Sequence, residues 1–143
     1  GNISIGGTAE AVQATGEAAT AAGAVRVLPL NVAGAFHTPL MQTAAEGMRA
    51  VLAAAPFTAP RMPVVSNVTA QAMTSAGEFA GELADQVTSP VLWVDDVRTM
   101  LGAGVTSFIE FGPGKVLTGA LKRTEPSATL RNVGTAAEAQ QAG

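Results

Sequence analysis

The chain of 143 residues is 48% hydrophobic and 13% charged, with a formal net charge of -3, a composition that suits one modest domain with a core and is unlike a disordered segment. Its eight Lys and Arg residues form no cluster, which argues against an electrostatic nucleic-acid footprint, and zero cysteines with one histidine exclude disulfides, thiolate metal sites and a multi-histidine zinc site. No apolar run reaches the roughly 20 residues needed to cross a bilayer, and no charged leader precedes an apolar segment, so the sequence predicts a soluble, cytoplasmic protein. The opening Gly1-Asn2 lacks methionine and enters a strand-like Ile3-Ser4-Ile5 at once, as expected of a fragment.

Ile3 to Ile5 predicts a short strand ended by the Gly6-Gly7 turn. Thr8 then caps an alanine-rich helix to about Ala22, closed by Gly23. Val25 to Leu30 alternates as a strand, with Pro29 pushing it toward a sheet edge or an end. Met41, Ala44, Ala45, Met48, Val51, Leu52 and Ala55 recur at helical spacing, with Thr38 as N-cap and Pro39 as first helical residue. His37, the only histidine, therefore falls on a tight strand-to-helix turn. Pro56, Pro60 and Pro63 make an extended connection, and Pro63 to Val68 predicts a short buried strand.

A helix follows from Gly77 to about Val87 and closes before Ser89-Pro90. Another runs from Trp93 to Leu101, with Asp95 and Asp96 in its first turn. Val105 to Phe111 is an apolar strand, Gly112-Pro113-Gly114 a turn, and Val116 to Leu121 a helix. Ala128 to Val133 is a last strand, and the tail from Thr135 is expected to fray. The alternation of helices and strands predicts an α/β fold with a largely parallel sheet.

A lone histidine is more often packed or surface-exposed than catalytic, and a base needs a nucleophile beside it. Asn2-Ile3-Ser4-Ile5-Gly6 lacks the first glycine of a nucleophile elbow, and Ser66, Ser75, Ser89, Ser107 and Ser127 match no better. Gly112-Pro113-Gly114-Lys115 invites a phosphate reading but lacks the arc of a Walker loop, so a plain turn is favoured. Gln86 lies in a last helical turn, where backbone carbonyls lack helical partners. A carbonyl there could accept the Nδ1 proton of a histidine; the alternative is that water donates to those carbonyls instead.

Taken together, Ile3-Ser4-Ile5-Gly6-Gly7-Thr8, Gly34-Ala35-Phe36-His37-Thr38-Pro39-Leu40-Met41, Pro63-Val64-Val65-Ser66-Asn67-Val68, Gln86 with Ser89-Pro90-Val91-Leu92-Trp93, and Phe111-Gly112-Pro113-Gly114-Lys115-Val116-Leu117-Thr118-Gly119 resemble the malonyl-CoA:acyl-carrier-protein transacylases of bacterial fatty acid synthesis. The resemblance runs from Gly1 to about Val133. It implies the C-terminal part of an α/β-hydrolase-like acyltransferase domain with part of its ferredoxin-like small subdomain. Residues 1-31 would belong to the small subdomain, 32-133 to the large one, and 134-143 would be a tail.

The resemblance further implies that His37 is the base of a Ser-His dyad, that a backbone carbonyl of Gln86 orients it, and that Phe36 lines the acyl site and favours malonyl over methylmalonyl. The serine would carry malonyl from coenzyme A to the phosphopantetheine thiol of acyl carrier protein, with no further cofactor and no metal. The family's Gly-His-Ser-x-Gly elbow, oxyanion glutamine loop and carboxylate-gripping arginine have no counterpart here, and Arg26 is not that arginine. The expected partners are therefore malonyl-CoA, acyl carrier protein and a missing N-terminal half, and the piece alone is expected to be inactive. The alternatives are a piece of a modular polyketide synthase acyltransferase domain, or a non-catalytic scaffold fragment of the same fold.

Overall fold

The computed structural model describes residues 2–141, and contacts within the chain group them into two units, Asn2–Leu92 and the residues from Trp93 onward. In the first unit, α1 spans Ala9–Ala21, with the Thr8 hydroxyl accepting from Ala11 N at 3.2 Å as its cap. Gly23, at φ +91°, closes the helix in the left-handed conformation its sequence position predicts. A 3-10 turn, Pro39–Met41, leads into α2, Gln42–Ala53. A second 3-10 turn, Ala76–Glu78, leads into α3, Phe79–Asp85. The helices α2 and α3 pack on one another with two alanines inside, Ala45 at 1% and Ala84 at 0% exposure, because side chains this small let helix backbones come close. Phe57, on the proline-rich connection, stacks on Phe79 with ring centroids 6.0 Å apart.

Two expected strands do not form. The segments Ile3–Ile5 and Val25–Leu30 take no place in a sheet. The alternating pattern was present, yet a strand exists only when a second edge accepts its hydrogen bonds. Ile3 stays 88% exposed and Leu30 64%. The chain leading into the His37 turn is accordingly not a sheet strand.

The Pro63 to Val68 strand is shorter and less buried than expected. Only β1, Val64–Val65, pairs, antiparallel with β2, Ala72–Met73, which the sequence did not announce. The chain leaves the strand at Ser66 because that residue organises a turn. Its Oγ accepts from Val68 N at 3.2 Å, Thr69 N at 3.0 Å and Thr69 Oγ1 at 2.9 Å, while Ala70 N donates to Ser66 O at 2.8 Å. Side-chain bonds of this local kind compete with strand pairing.

In the second unit, α4 spans Trp93–Gly102 and β3 spans Ser107–Phe111. The helix α5, Val116–Thr124, connects β3 to β4, Thr129–Val133, and the two strands pair in parallel with Ile109 opposite Arg131. This is the one parallel pair among the described residues, so the predicted parallel sheet is represented here by two strands. Val97, Leu121 and Val133 are the buried apolar side chains of this unit. The tail does not fray over its first turns. It forms α6, Ala136–Gln140, in which Thr135 Oγ1 accepts from Glu138 N and the Glu138 carboxylate accepts from Thr135 N. That capping box stands in the sequence as Thr135-x-x-Glu138 and starts the helix within the alanine-rich tail. Among the described residues no helix is long and apolar enough to cross a membrane.

Gly112 and Gly114 both hold positive φ, +127° and +93°, so the turn from β3 into α5 requires residues without a Cβ. Glu110 reaches across that turn. Its carboxylate accepts from Leu117 N at 3.0 Å, Thr118 N at 2.7 Å and the Thr118 hydroxyl. An internal anion thus occupies the amides that a phosphate would need, which removes the phosphate reading of Gly112-Pro113-Gly114-Lys115.

The Thr118 hydroxyl and then the Thr118 amide hold the Glu110 carboxyl below its ordinary value of 4.5. Amides of Ser75 and of Gly134 do the same for Glu78 and Glu138. A carboxyl lowered in the folded chain stabilises it fully above the unfolded value, and that contribution is lost as pH falls through the folded value. Helix content followed by circular dichroism should therefore fall on acidification below about pH 4.5, with a shallower dependence in Glu110→Gln. An identical acid profile for the two proteins would remove Glu110 from the account.

Candidate active site

His37 lies in the turn just before the 3-10 turn that leads into α2, at φ +63°, a left-handed conformation that a non-glycine residue keeps only with tertiary support. Its N–H donates to Val87 O at 3.0 Å. Thr38 closes the turn, donating to Ala35 O at 2.7 Å and accepting from Leu40 N at 3.3 Å. Gly6 comes so near that a Cβ there would lie 2.8 Å from Thr38 Cγ2. The segment before α1 therefore braces the histidine turn without belonging to a sheet.

The imidazole Nδ1 is 2.9 Å from Gln86 O. A carbonyl oxygen can only accept, so Nδ1 is the donor, and in the neutral ring the lone pair is on Nε2. The side chain is exposed, and Nε2 has no hydrogen-bond partner among the described residues.

Gln86 is available for a chemical reason. Its carbonyl stands at the C-terminal end of α3, and the residue four positions on, whose N–H would take it in a continuing helix, is Pro90, which has none. The Gln86 side chain points to another partner, its Nε2 donating to Asn67 Oδ1 at 3.1 Å. Arg49 on α2 and Asp85 on α3 form an ion pair that joins the two helices beside the site. Both side chains are about half exposed, so the pair contributes at most about 1 kcal/mol.

Phe36 and His37 form one wall of a cleft of about 330 Å³ whose other lining includes Met48, Leu52, Leu83 and Val87. The three residues singled out in the sequence, Phe36, His37 and Gln86, thus line a common concavity. Asn67 stands in the Pro63 to Val68 motif that carries the resemblance, but the strand expected there gives its side chain no role at the site. Its contact with Gln86 joins positions 19 residues apart, and no local signal announces such a pair.

Residues 1–142 match the family model described as acyl transferase domain. The malonyl CoA-acyl carrier protein transacylase of Bacillus subtilis (strain 168) is 43% identical over 123 residues, covering 86% of this chain and 39% of that protein. Among solved structures, the acyl-carrier-protein S-malonyltransferase of Burkholderia pseudomallei 1710b gives a TM-score of 0.88 at 34% identity, covering 95% of this chain and 44% of that one. A malonyl-transacylase solved in complex with a type II polyketide synthase acyl-carrier protein gives 0.87 at 38% identity, covering 94% and 43%. The chain thus spans about two fifths of the length of these relatives. With a family match across nearly every residue and close agreement in backbone with solved transacylases, the chain belongs to the acyl transferase domain family.

Proposed function

We propose that this chain is the general-base portion of a cytoplasmic malonyl-CoA:acyl-carrier-protein transacylase of fatty acid synthesis, completed by an N-terminal portion that carries the serine nucleophile. The carrying observation is the 2.9 Å approach of His37 Nδ1 to Gln86 O, which leaves Nε2 as the proton acceptor. In this reading the serine hydroxyl gives its proton to Nε2 as its oxygen attacks the malonyl thioester carbonyl. The carbon–sulfur bond then breaks, and the coenzyme A thiolate takes the proton from Nε2. The phosphopantetheine thiol of acyl carrier protein returns the acyl group to a thioester by the same exchange in reverse.

Gln86 acts through the histidine and is a positioning residue. Phe36, on the wall beside His37, limits the room for a substituent on the acyl α-carbon and favours malonyl. The likeness to the transacylase solved with a polyketide synthase carrier protein supports a carrier protein as the second substrate. The residues here include no serine elbow, oxyanion loop or carboxylate-binding arginine that matches the family pattern.

The isolated chain should accordingly transfer no malonyl group to carrier protein. Adding the serine-bearing portion, either as a fusion or as a second polypeptide, should restore transfer. Thioester transfer catalysed by the isolated chain would overturn this assignment.

A further inference from the structure

We infer that Asn67 is a positioning residue for the histidine, acting through the end of α3. The inference deepens the proposed transacylase reading, although its geometric part stands apart from it. Asn67 holds both ends of the segment that follows α3. Its side-chain Oδ1 accepts from Gln86 Nε2 at 3.1 Å, and its backbone O accepts from Leu92 N at 2.9 Å. Between those two ties lie the carbonyls of Gln86 and Val87, which accept from His37 Nδ1 and His37 N.

Pro90 removes the helical competitor for the Gln86 carbonyl but does not aim it. A peptide plane just past a helix end is free to tilt, and a side-chain amide anchored on the same residue restricts that tilt. Asn67 is itself fixed. Ser66, immediately before it, is 2% exposed and gathers the hydrogen bonds of its turn, and Val68 N, immediately after it, donates to Glu82 Oε1 on α3 at 3.3 Å. The turn between β1 and β2 is thus a bracket for the carbonyl that sets the histidine tautomer.

His37 is the only histidine in the chain, so long-range proton–nitrogen spectra of uniformly 15N-labelled protein report its tautomer without assignment. The wild type should show the Nδ1–H form. Asn67→Leu, which keeps the backbone tie to Leu92, should lower the ratio of Nδ1–H to Nε2–H by about three- to tenfold, the size expected from weakening one hydrogen bond. Asn67→Asp, which keeps an oxygen acceptor for Gln86, should restore it. Gln86→Met removes the same contact from the other side and should reproduce the Asn67→Leu shift, with no further change in the double variant.

In the completed transacylase, Asn67→Leu should lower kcat about tenfold with little change in KM for the malonyl thioester, as expected for a misplaced base. An unchanged tautomer ratio in folded Asn67→Leu and Gln86→Met would overturn the inference. A shifted ratio with unchanged kcat would support the positioning role and defeat the general-base reading, so the two failures are distinguishable.

Discussion

Replacing His37 with asparagine in the completed transacylase should slow acylation of the serine by about 10²- to 10⁴-fold, the usual contribution of a positioned general base. Asparagine is the informative choice. His37 holds φ +63°, and asparagine adopts that conformation with little penalty, whereas alanine there adds a backbone cost of about 1 kcal/mol or more. Loss of rate in His37→Asn with an unchanged denaturant midpoint isolates the chemistry from the fold. The measurement is single-turnover formation of the malonyl-enzyme from a malonyl thioester. A rate equal to that of the wild type would remove His37 from the mechanism.

Ala84→Leu should destabilise the first unit by about 1–3 kcal/mol, the usual cost of overpacking a filled interior. Ala84 is fully buried at 0% exposure, and Ala45 across the packed α2 is at 1%, so added methyl groups must push the helices apart. The same displacement moves the end of α3, which carries the carbonyl bonded to His37. Urea unfolding gives the stability change, and the histidine tautomer gives the displacement. Val51→Ala, at a site 68% exposed on the same α2, should change stability by less than about 0.5 kcal/mol. Equal effects from the two substitutions would show that the α2–α3 contact is not tightly packed.

Helices were legible because their signals are local. Thr8, Gly23, Thr38 with Pro39, and the Ser89-Pro90 break all lie within a few residues of the hydrogen bonds they start or stop. The same locality makes Thr135 and Glu138 readable as a capping box. Strands were misjudged where their partners decided the outcome. Val25 to Leu30 carries a good alternating pattern and stays unpaired, while Ala72–Met73 carries little pattern and pairs with Val64–Val65 because the Ser66 turn brings it back.

The sequence alone determined the family, the order of the helices, and the placing of its single histidine on a turn just ahead of a helix cap. It also marked Gln86 as a residue whose carbonyl lacks a helical partner, since it falls in the last turn before the Ser89-Pro90 break. Only the tertiary structure decided that this carbonyl and His37 Nδ1 meet across 49 residues, that Asn67 holds the side chain of Gln86, and that Glu110 fills the start of α5. The division follows from the physics. Helix ends are set by hydrogen bonds between near neighbours, whereas strand pairing and the orientation of an imidazole depend on groups that are distant in sequence and become adjacent when the chain folds.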